Sequence, residues 1–250
     1  MTEVLSKSFV IAFLALCLAP LARADEDKSG WRFDGAVSYL STSGNTETSS
    51  TGLALDFKKV YEIWTLELGA GAVQAAKDGE TNAESYLLMG RGSRAISERV
   101  ALTAGLKGEK DRFAGISLRS TADLGFNWKL RTEERWTVDA LSSATWTNED
   151  PIAGDSVSNV GFLLGARSEL KISENASTTQ IIRLEPNLED SDDYRIDASI
   201  SVESSLTDIF AVKLGYDLRY DNVPVTGFDK TDTRATASLV VKMRRGSFSK

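Results

Sequence analysis

The feature that most narrows the fold of this chain is a two-residue alternation of apolar and polar side chains, which begins at Trp31 and continues nearly to the end. Successive side chains of an extended strand point to opposite faces, so alternation marks strands with one greasy and one wet side. Phe210, Val212, Leu214, Tyr216, Leu218 and Tyr220 share one face of a segment whose other face carries Ala211, Lys213, Gly215, Asp217 and Arg219. The same separation sets Tyr194, Ile196, Ala198, Ile200 and Val202 against Arg195, Asp197, Ser199, Ser201 and Glu203. A third run opposes Leu118, Ala122, Leu124, Phe126 and Trp128 to Arg119, Asp123, Asn127 and Lys129. Such runs extend for about 11 to 15 residues, where strands of soluble domains commonly have about five or six. A tilted strand needs about 9 to 11 residues to cross a bilayer, so length favours the membrane.

Turn chemistry sets the number of strands. Short polar turns at 95–99, 130–134, 171–175 and 205–209 each place Ser or Thr before an acid, with a looser member at Tyr61 and Glu62. They recur every 34 to 41 residues or so, the length of a hairpin plus a loop. Between them lie longer Gly- and acid-rich connections at 44–48, 77–82, 111–115, 148–158, 188–193 and 222–232. Short turns alternating with long loops are what a membrane barrel shows, one end facing the periplasm and the other the exterior. Six hairpins predict an all-β fold, a closed antiparallel up-and-down transmembrane β-barrel of about twelve strands. Two ambiguous spans leave ten or fourteen open: 82–95 splits its apolar residues between faces, and 176–186 ends in a proline.

The apolar run at 9–22 follows Lys7 and ends at Ala22-Arg23-Ala24, a small-x-small cleavage site. Residues 1–24 therefore read as a signal peptide and 25–250 as the barrel domain. Cys17 follows Leu16 rather than a small residue, which argues against lipidation. Mean hydropathy is −0.19, and no apolar stretch reaches the roughly 20 residues of a membrane-spanning helix.

A net charge of −7 without a basic cluster gives no electrostatic footprint for nucleic acid. The chain has no histidine and one cysteine, inside the leader, so disulfides, thiolate chemistry and most zinc sites are ruled out. A Ser–His hydrolase is ruled out with them. Carboxylates abound, and any nominated acid pair would be arbitrary. No catalytic residue, cofactor or metal ligand is expected, and the chain does not read as an enzyme.

Rings favour the two lipid–water boundaries of a barrel. Trp136 and Trp146 share a face of one segment. Ten residues span about 33 Å along a strand, which a tilt near 40° reduces to roughly 25 Å, the height of the apolar band. Trp31, Trp64 and Trp128 also lie near strand ends and join them as candidate interface aromatics. With the apolar face in lipid, the interior would carry Asp56, Glu67, Lys107, Arg119, Asp123, Asp139, Arg167, Arg195, Asp197, Glu203, Lys213, Asp217 and Arg219. Asp34, Lys58, Glu109, Lys129, Glu169, Arg234 and Lys242 belong to the same faces. Both signs are mixed, so this lining reads as solvated or self-paired rather than as a ring selecting one ion. A soluble binding barrel would invert the orientation, and alternation alone does not separate the two.

Three local patterns are weak. Gly90-Arg91-Gly92-Ser93-Arg94-Ala95 matches a dinucleotide-binding fingerprint but precedes a turn and a strand instead of a helix. Its glycines are expected to relieve crowding inside the barrel. Glu189, Asp190, Asp192 and Asp193 lack the glycine and closing glutamate of a calcium loop and read as a solvated exterior loop. Asn175-Ala176-Ser177 fits a glycosylation sequon within a tight turn of a bacterial-type chain, where it carries no weight.

Trp31, Gly35 and Val37 followed by Ser43-Gly44-Asn45-Thr46-Glu47-Thr48, with Leu53 and Leu55 beyond, resemble the opening of the YdiY-like family of salt-induced outer-membrane proteins, domain of unknown function 481. The likeness extends over the hairpin spacing and length of residues 25–250. It implies an outer-membrane barrel of a Gram-negative bacterium, surrounded by lipid and lipopolysaccharide and inserted by the outer-membrane assembly machinery, without a mechanism. One departure is the end: such barrels finish on an aromatic residue, whereas Phe248 is followed by Ser249 and Lys250, beyond Arg244 and Arg245. The leading functional expectation is a structural or narrow-pore role for small solutes or ions, linked to salt or envelope stress. The alternatives are a surface scaffold using acidic loops near Asp150, Asp190 and Asp229, and a soluble periplasmic ligand-binding barrel.

Overall fold

A computed structural model describes residues 29–42, 48–77 and 80–246. The expected signal peptide, the 43–47 part of the first long connection, the 78–79 part of the second and the tail with Phe248 lie outside the described residues. Twelve strands form in order: β1 (Gly30–Thr42), β2 (Thr48–Tyr61), β3 (Trp64–Lys77), β4 (Glu80–Ala95), β5 (Val100–Asp111), β6 (Ile116–Thr132), β7 (Trp136–Pro151), β8 (Val157–Lys171), β9 (Ala176–Pro186), β10 (Tyr194–Ser205), β11 (Phe210–Asp221) and β12 (Thr231–Gly246). Each pairs antiparallel with its sequence neighbours, and β1 pairs with β12 from Gly30↔Gly246 to Ser38↔Ser238, closing the barrel. Closure removes the sheet edges that a membrane would leave unsatisfied. The described part of the closing strand runs to Gly246.

The repeated Ser/Thr-acid turns share one hydrogen-bond pattern, which explains the sequence repeat. Ser97 Oγ accepts from the amides of Arg99 and Val100, at 3.3 and 3.1 Å. Ser173 Oγ does the same for Asn175 and Ala176 at 3.4 and 3.1 Å, and Thr207 Oγ1 for Ile209 and Phe210 at 3.2 and 2.9 Å. A short hydroxyl that satisfies two otherwise unpaired amides is a sound way to reverse a strand in few residues. The fourth turn departs from this. β6 runs on to Thr132 through a register shift at Lys129/Arg131, so the expected turn at 130–134 begins later than its sequence suggests.

Both ambiguous spans are strands. β9 is the shortest, at 11 residues, and stops at Pro186, which has no amide to give the ladder. β7 extends to Pro151 and consumes the start of the 148–158 connection.

Ladder partners share a face, and most large apolar side chains gather on the outer one. Leu88, Leu124, Trp146, Val160, Leu214 and Leu239 are among the exposed large apolar residues of the outer wall. Inside, few buried positions are apolar: Ile116, Leu163, Ala211 and Val240 among the described residues. Buried polar ones include Thr103, Glu109, Arg119, Thr121, Thr147 and Lys242. This inversion of a water-soluble fold disposes of the ligand-carrier orientation, in which apolar side chains would turn inward. One expectation needs correction. Gly90 and Gly92 pair with Leu68 and Leu66 on the outer wall, and a Cβ added at Gly92 would meet nothing within 4 Å. They relieve no crowding inside; Arg91, between them, is the inward residue.

Candidate functional site

The long-loop ends of β5, β6, β7, β9, β10 and β11 converge on one continuous lattice of ion pairs. β5 carries Lys107, Glu109 and Asp111 to the interior at every second position, because the strand period is two. Arg219 on β11 places its guanidinium 2.6 Å from Asp111, 3.8 Å from Glu109 and 3.7 Å from Asp197. Arg119 on β6 lies 3.0 Å from Glu109, 2.6 Å from Glu149 and 3.7 Å from Asp221. Arg195 bridges Glu149 and Glu185 at 3.6 and 3.1 Å, and Lys107 bridges Glu109 and Glu185 at 3.6 and 3.9 Å.

β5 and β11 stand six places apart in the ring, on opposite walls. The lattice therefore crosses the barrel instead of running along a wall. Its centre is dry: the side chains of Glu109 and Arg119 are only 4% and 7% exposed. Charges removed from water to that degree persist only if each has several partners. Glu109 accordingly meets Lys107, Arg119 and Arg219.

A roof lies over the lattice. The β5–β6 connection, residues 112–115, and the β11–β12 connection, residues 222–230, spring from opposite walls and meet across the mouth. Phe228 sits against Gly115, whose φ of +73° is a left-handed conformation that glycine adopts freely. The Ile152 amide donates to the Gly115 carbonyl at 2.8 Å, tying the contact to the neighbouring loop. The second loop is held at its base, where Asn222 Nδ2 donates to the Asp192 carbonyl at 2.8 Å and Lys230 Nζ to Asn222 Oδ1 at 3.1 Å. Between roof and lattice a cavity of about 40 Å³ remains, lined in part by Ile116, Tyr220, Pro224 and Asp232.

Beneath the lattice the β4–β7 wall presents hydroxyls. Thr121 and Thr147 are hydrogen-bonded to each other at 3.4 Å, and Ser93 Oγ donates to Thr103 Oγ1 at 3.0 Å. Thr103, Ser143 and Thr147 are at most 2% exposed although they line the interior, so the lumen is filled at this level.

Further down, pairing is local. Arg91 makes a two-pronged contact with Asp123, both bonds 2.8 Å. Lys58 pairs with Glu67 at 2.8 Å, Arg167 with Glu169 at 3.6 Å, Arg234 with Asp217 at 3.1 Å, and Lys242 with Glu203. Asp56 faces the charges of Lys213 and Arg167, and Asp139 those of Lys58, Lys129 and Arg167.

The thirteen candidate interior charges thus lie on one face of the ladder, though not as one group. Lys107, Arg119, Arg195, Asp197 and Arg219 join the lattice; Glu67, Asp123, Arg167, Glu203 and Asp217 form the lower pairs, and Asp56, Asp139 and Lys213 lie near opposite charges without closing an ion pair among the described residues. Sequence reading missed Asp111, Glu149, Glu185, Asp221 and Arg91. Asp111 and Glu149 fall at the starts of the expected connections 111–115 and 148–158, at positions that the structure shows as strand. Glu185 and Arg91 fall in the two ambiguous spans, and Asp221 needed only one more step of the Asp217, Arg219 alternation.

The five tryptophans share the outer wall. Trp31, Trp64, Trp128 and Trp136 lie toward the short-turn end and Trp146 toward the long-loop end. Arg131 stacks over Trp136 at 4.0 Å, and the Trp128 and Trp136 indoles donate to Ser142 and Ser168 at 3.2 and 2.9 Å. Tyr39 and Tyr86 add exposed rings near the long-loop end. The acidic 188–193 loop is internally bonded, with Asp190 accepting from Asp192 at 3.0 Å and Asp193 from Asn187 at 2.8 Å. Among the described residues no cluster of potential ligands could hold a metal ion.

Solved structures share the architecture at low identity. A NanC porin is 9% identical over 86% of this chain and 100% of its own, with a TM-score of 0.51. A COG4313 outer membrane channel from Pseudomonas putida F1 is 14% identical over 90% of this chain and 99% of its own, with a TM-score of 0.50. No protein of curated function matches the sequence significantly. With its apolar wall and closed ladder, the chain has the fold of an outer-membrane β-barrel. The profile of the family described as "Protein of unknown function, DUF481" matches residues 35–243, and the chain belongs to that family.

Proposed function

We propose that this protein is a narrow passive pore of the Gram-negative outer membrane, held shut or nearly shut at its long-loop end. The observation that carries the reading is the ion-pair lattice from Asp111 and Glu109 on one wall to Arg219 on the other. A purely structural barrel would gain as much from a packed apolar interior, because burying ion pairs is seldom a net source of stability. A polar barrier that can rearrange is a better match to controlled passage. The solved porin and channel of similar architecture support the class without supplying a solute. The five tryptophans would sit at the lipid boundaries, with lipopolysaccharide around the long-loop end and the assembly machinery needed for insertion. A link to salt or envelope stress rests on the resemblance of the opening segment to the YdiY-like proteins.

Purified protein in planar bilayers tests the reading. The native barrel should give small, infrequent current steps, and Arg219→Ala should give larger or more frequent ones. Silence from both would reduce the protein to a structural or surface role.

A further inference from the structure

The cavity between roof and lattice is small, and its lining carries six carboxylates against five cations, four of which are already engaged by carboxylates. At about 40 Å³ it has room for roughly three water molecules, too little for a sugar or an amino acid. Within the lattice, six carboxylates (Glu109, Asp111, Glu149, Glu185, Asp197 and Asp221) outnumber four cations. Asp229 and Asp232 add further carboxylates to the lining above, against Lys230.

The geometry sharpens the imbalance. Each of the four cations is shared between at least two carboxylates, and Lys230 donates to Asn222. An entering anion would meet one ammonium outside the ion pairs, that of Lys230, and would be repelled by the carboxylates of Asp221, Asp229 and Asp232 around it. An entering cation would meet oxygens with lone pairs to spare, in a site where low-dielectric walls strengthen the field.

We infer that the solute admitted at this mouth is a small inorganic cation, and that anions and organic solutes are rejected there; this rests on the narrow-pore reading above. The inward carboxylates of Asp221 and Asp232 set the preference, while the lattice and roof set the size limit. The charge rule is that of any constriction ringed by carboxylates, where binding must be favourable enough to enter and weak enough to leave.

The test uses the full-length barrel in a planar bilayer under a KCl gradient. The reversal potential should show K⁺ preferred over Cl⁻. Asp221→Asn and Asp232→Asn should each lower that permeability ratio by roughly threefold, whereas Asp232→Glu should preserve it. Replacing K⁺ by tetraethylammonium should abolish the current. Preference for Cl⁻, a ratio unmoved by both Asn variants, or free passage of tetraethylammonium would each overturn the inference while leaving the pore intact. Silence from the native barrel and from Arg219→Ala alike would instead remove the pore, and the inference with it.

Discussion

Arg219 on β11 reaches Asp111 on β5 at 2.6 Å, although the two strands stand on opposite walls of the barrel. A contact of this kind fixes the separation of two walls that no backbone hydrogen bond joins. Because Arg219 is 39% exposed, solvent screens part of the interaction, and Arg219→Ala should cost about 1 to 2 kcal/mol. Its larger effect should be functional, with larger or more frequent current steps in bilayers. Loss of stability without a change in current would show that the contact braces the walls but does not block the lumen.

Arg119 should behave differently, because it sits at the dry centre. Removing it leaves Glu109 and Glu149 facing one another's environment with one cation fewer each. Arg119→Ala should cost about 3 to 5 kcal/mol, the range for breaking a buried pair from one side. Urea unfolding of the detergent-held barrel measures it. Adding Glu149→Gln should recover part of the loss, a coupling of about 1 to 3 kcal/mol in a double-mutant cycle. Strict additivity would refute the shared-partner description.

The strand period, hairpin repeat and inward face were legible because each depends on the neighbours of a residue in sequence. Alternation placed Arg219 and Asp197 on one face, and Ser173 before Glu174 announced a turn whose hydroxyl bonds the structure displays. What the sequence did not disclose is which inward charges meet. The partners Arg219 and Asp111 are 108 positions apart, and their meeting depends on ring closure and on strands running past their expected ends. The roof was hidden for the same reason, since Phe228 reads as an ordinary loop residue until the opposite wall brings Gly115 to it.

Glycine positions give a test of packing inside against outside. A Cβ at Gly125 would run into the Ser142 carbonyl and the Ser143 backbone, neither of which can move without shifting β7. Gly125→Ala should therefore destabilise by about 1 to 3 kcal/mol. Gly92, with open space around it, should accept alanine and gain about 0.4 to 1 kcal/mol from a stiffer unfolded chain. The temperature at which the folded gel band converts to the unfolded one should fall for the first and hold or rise for the second.

Trp136 and Trp146 occupy opposite ends of the outer face of β7. If both lie at lipid boundaries, bromines near the headgroups of the reconstituting lipid should quench them more strongly than bromines at the chain ends. Variants retaining only one of the two would read each boundary separately. Stronger quenching from the chain ends would shift the apolar band along the strands and displace the lattice from the outer rim.

The roof offers the sharpest separation of gating from stability, because two unlike substitutions should open it. Phe228→Ala removes the ring from the Gly115 backbone, and Gly115→Ala places a methyl where the ring sits, at a φ of +73° that alanine adopts reluctantly. The first deletes the contact and the second displaces it, yet both leave the lattice and every ladder bond in place. Both should increase the open fraction in bilayers while the unfolding free energy from urea titration falls only slightly for Phe228→Ala and by about 1 to 2 kcal/mol for Gly115→Ala. Equal gating with unequal stability is the result that only a roof explains. Gating that tracked stability across the two would mean that the loops merely cap the barrel, and that access is decided by Arg119 and Arg219 below them.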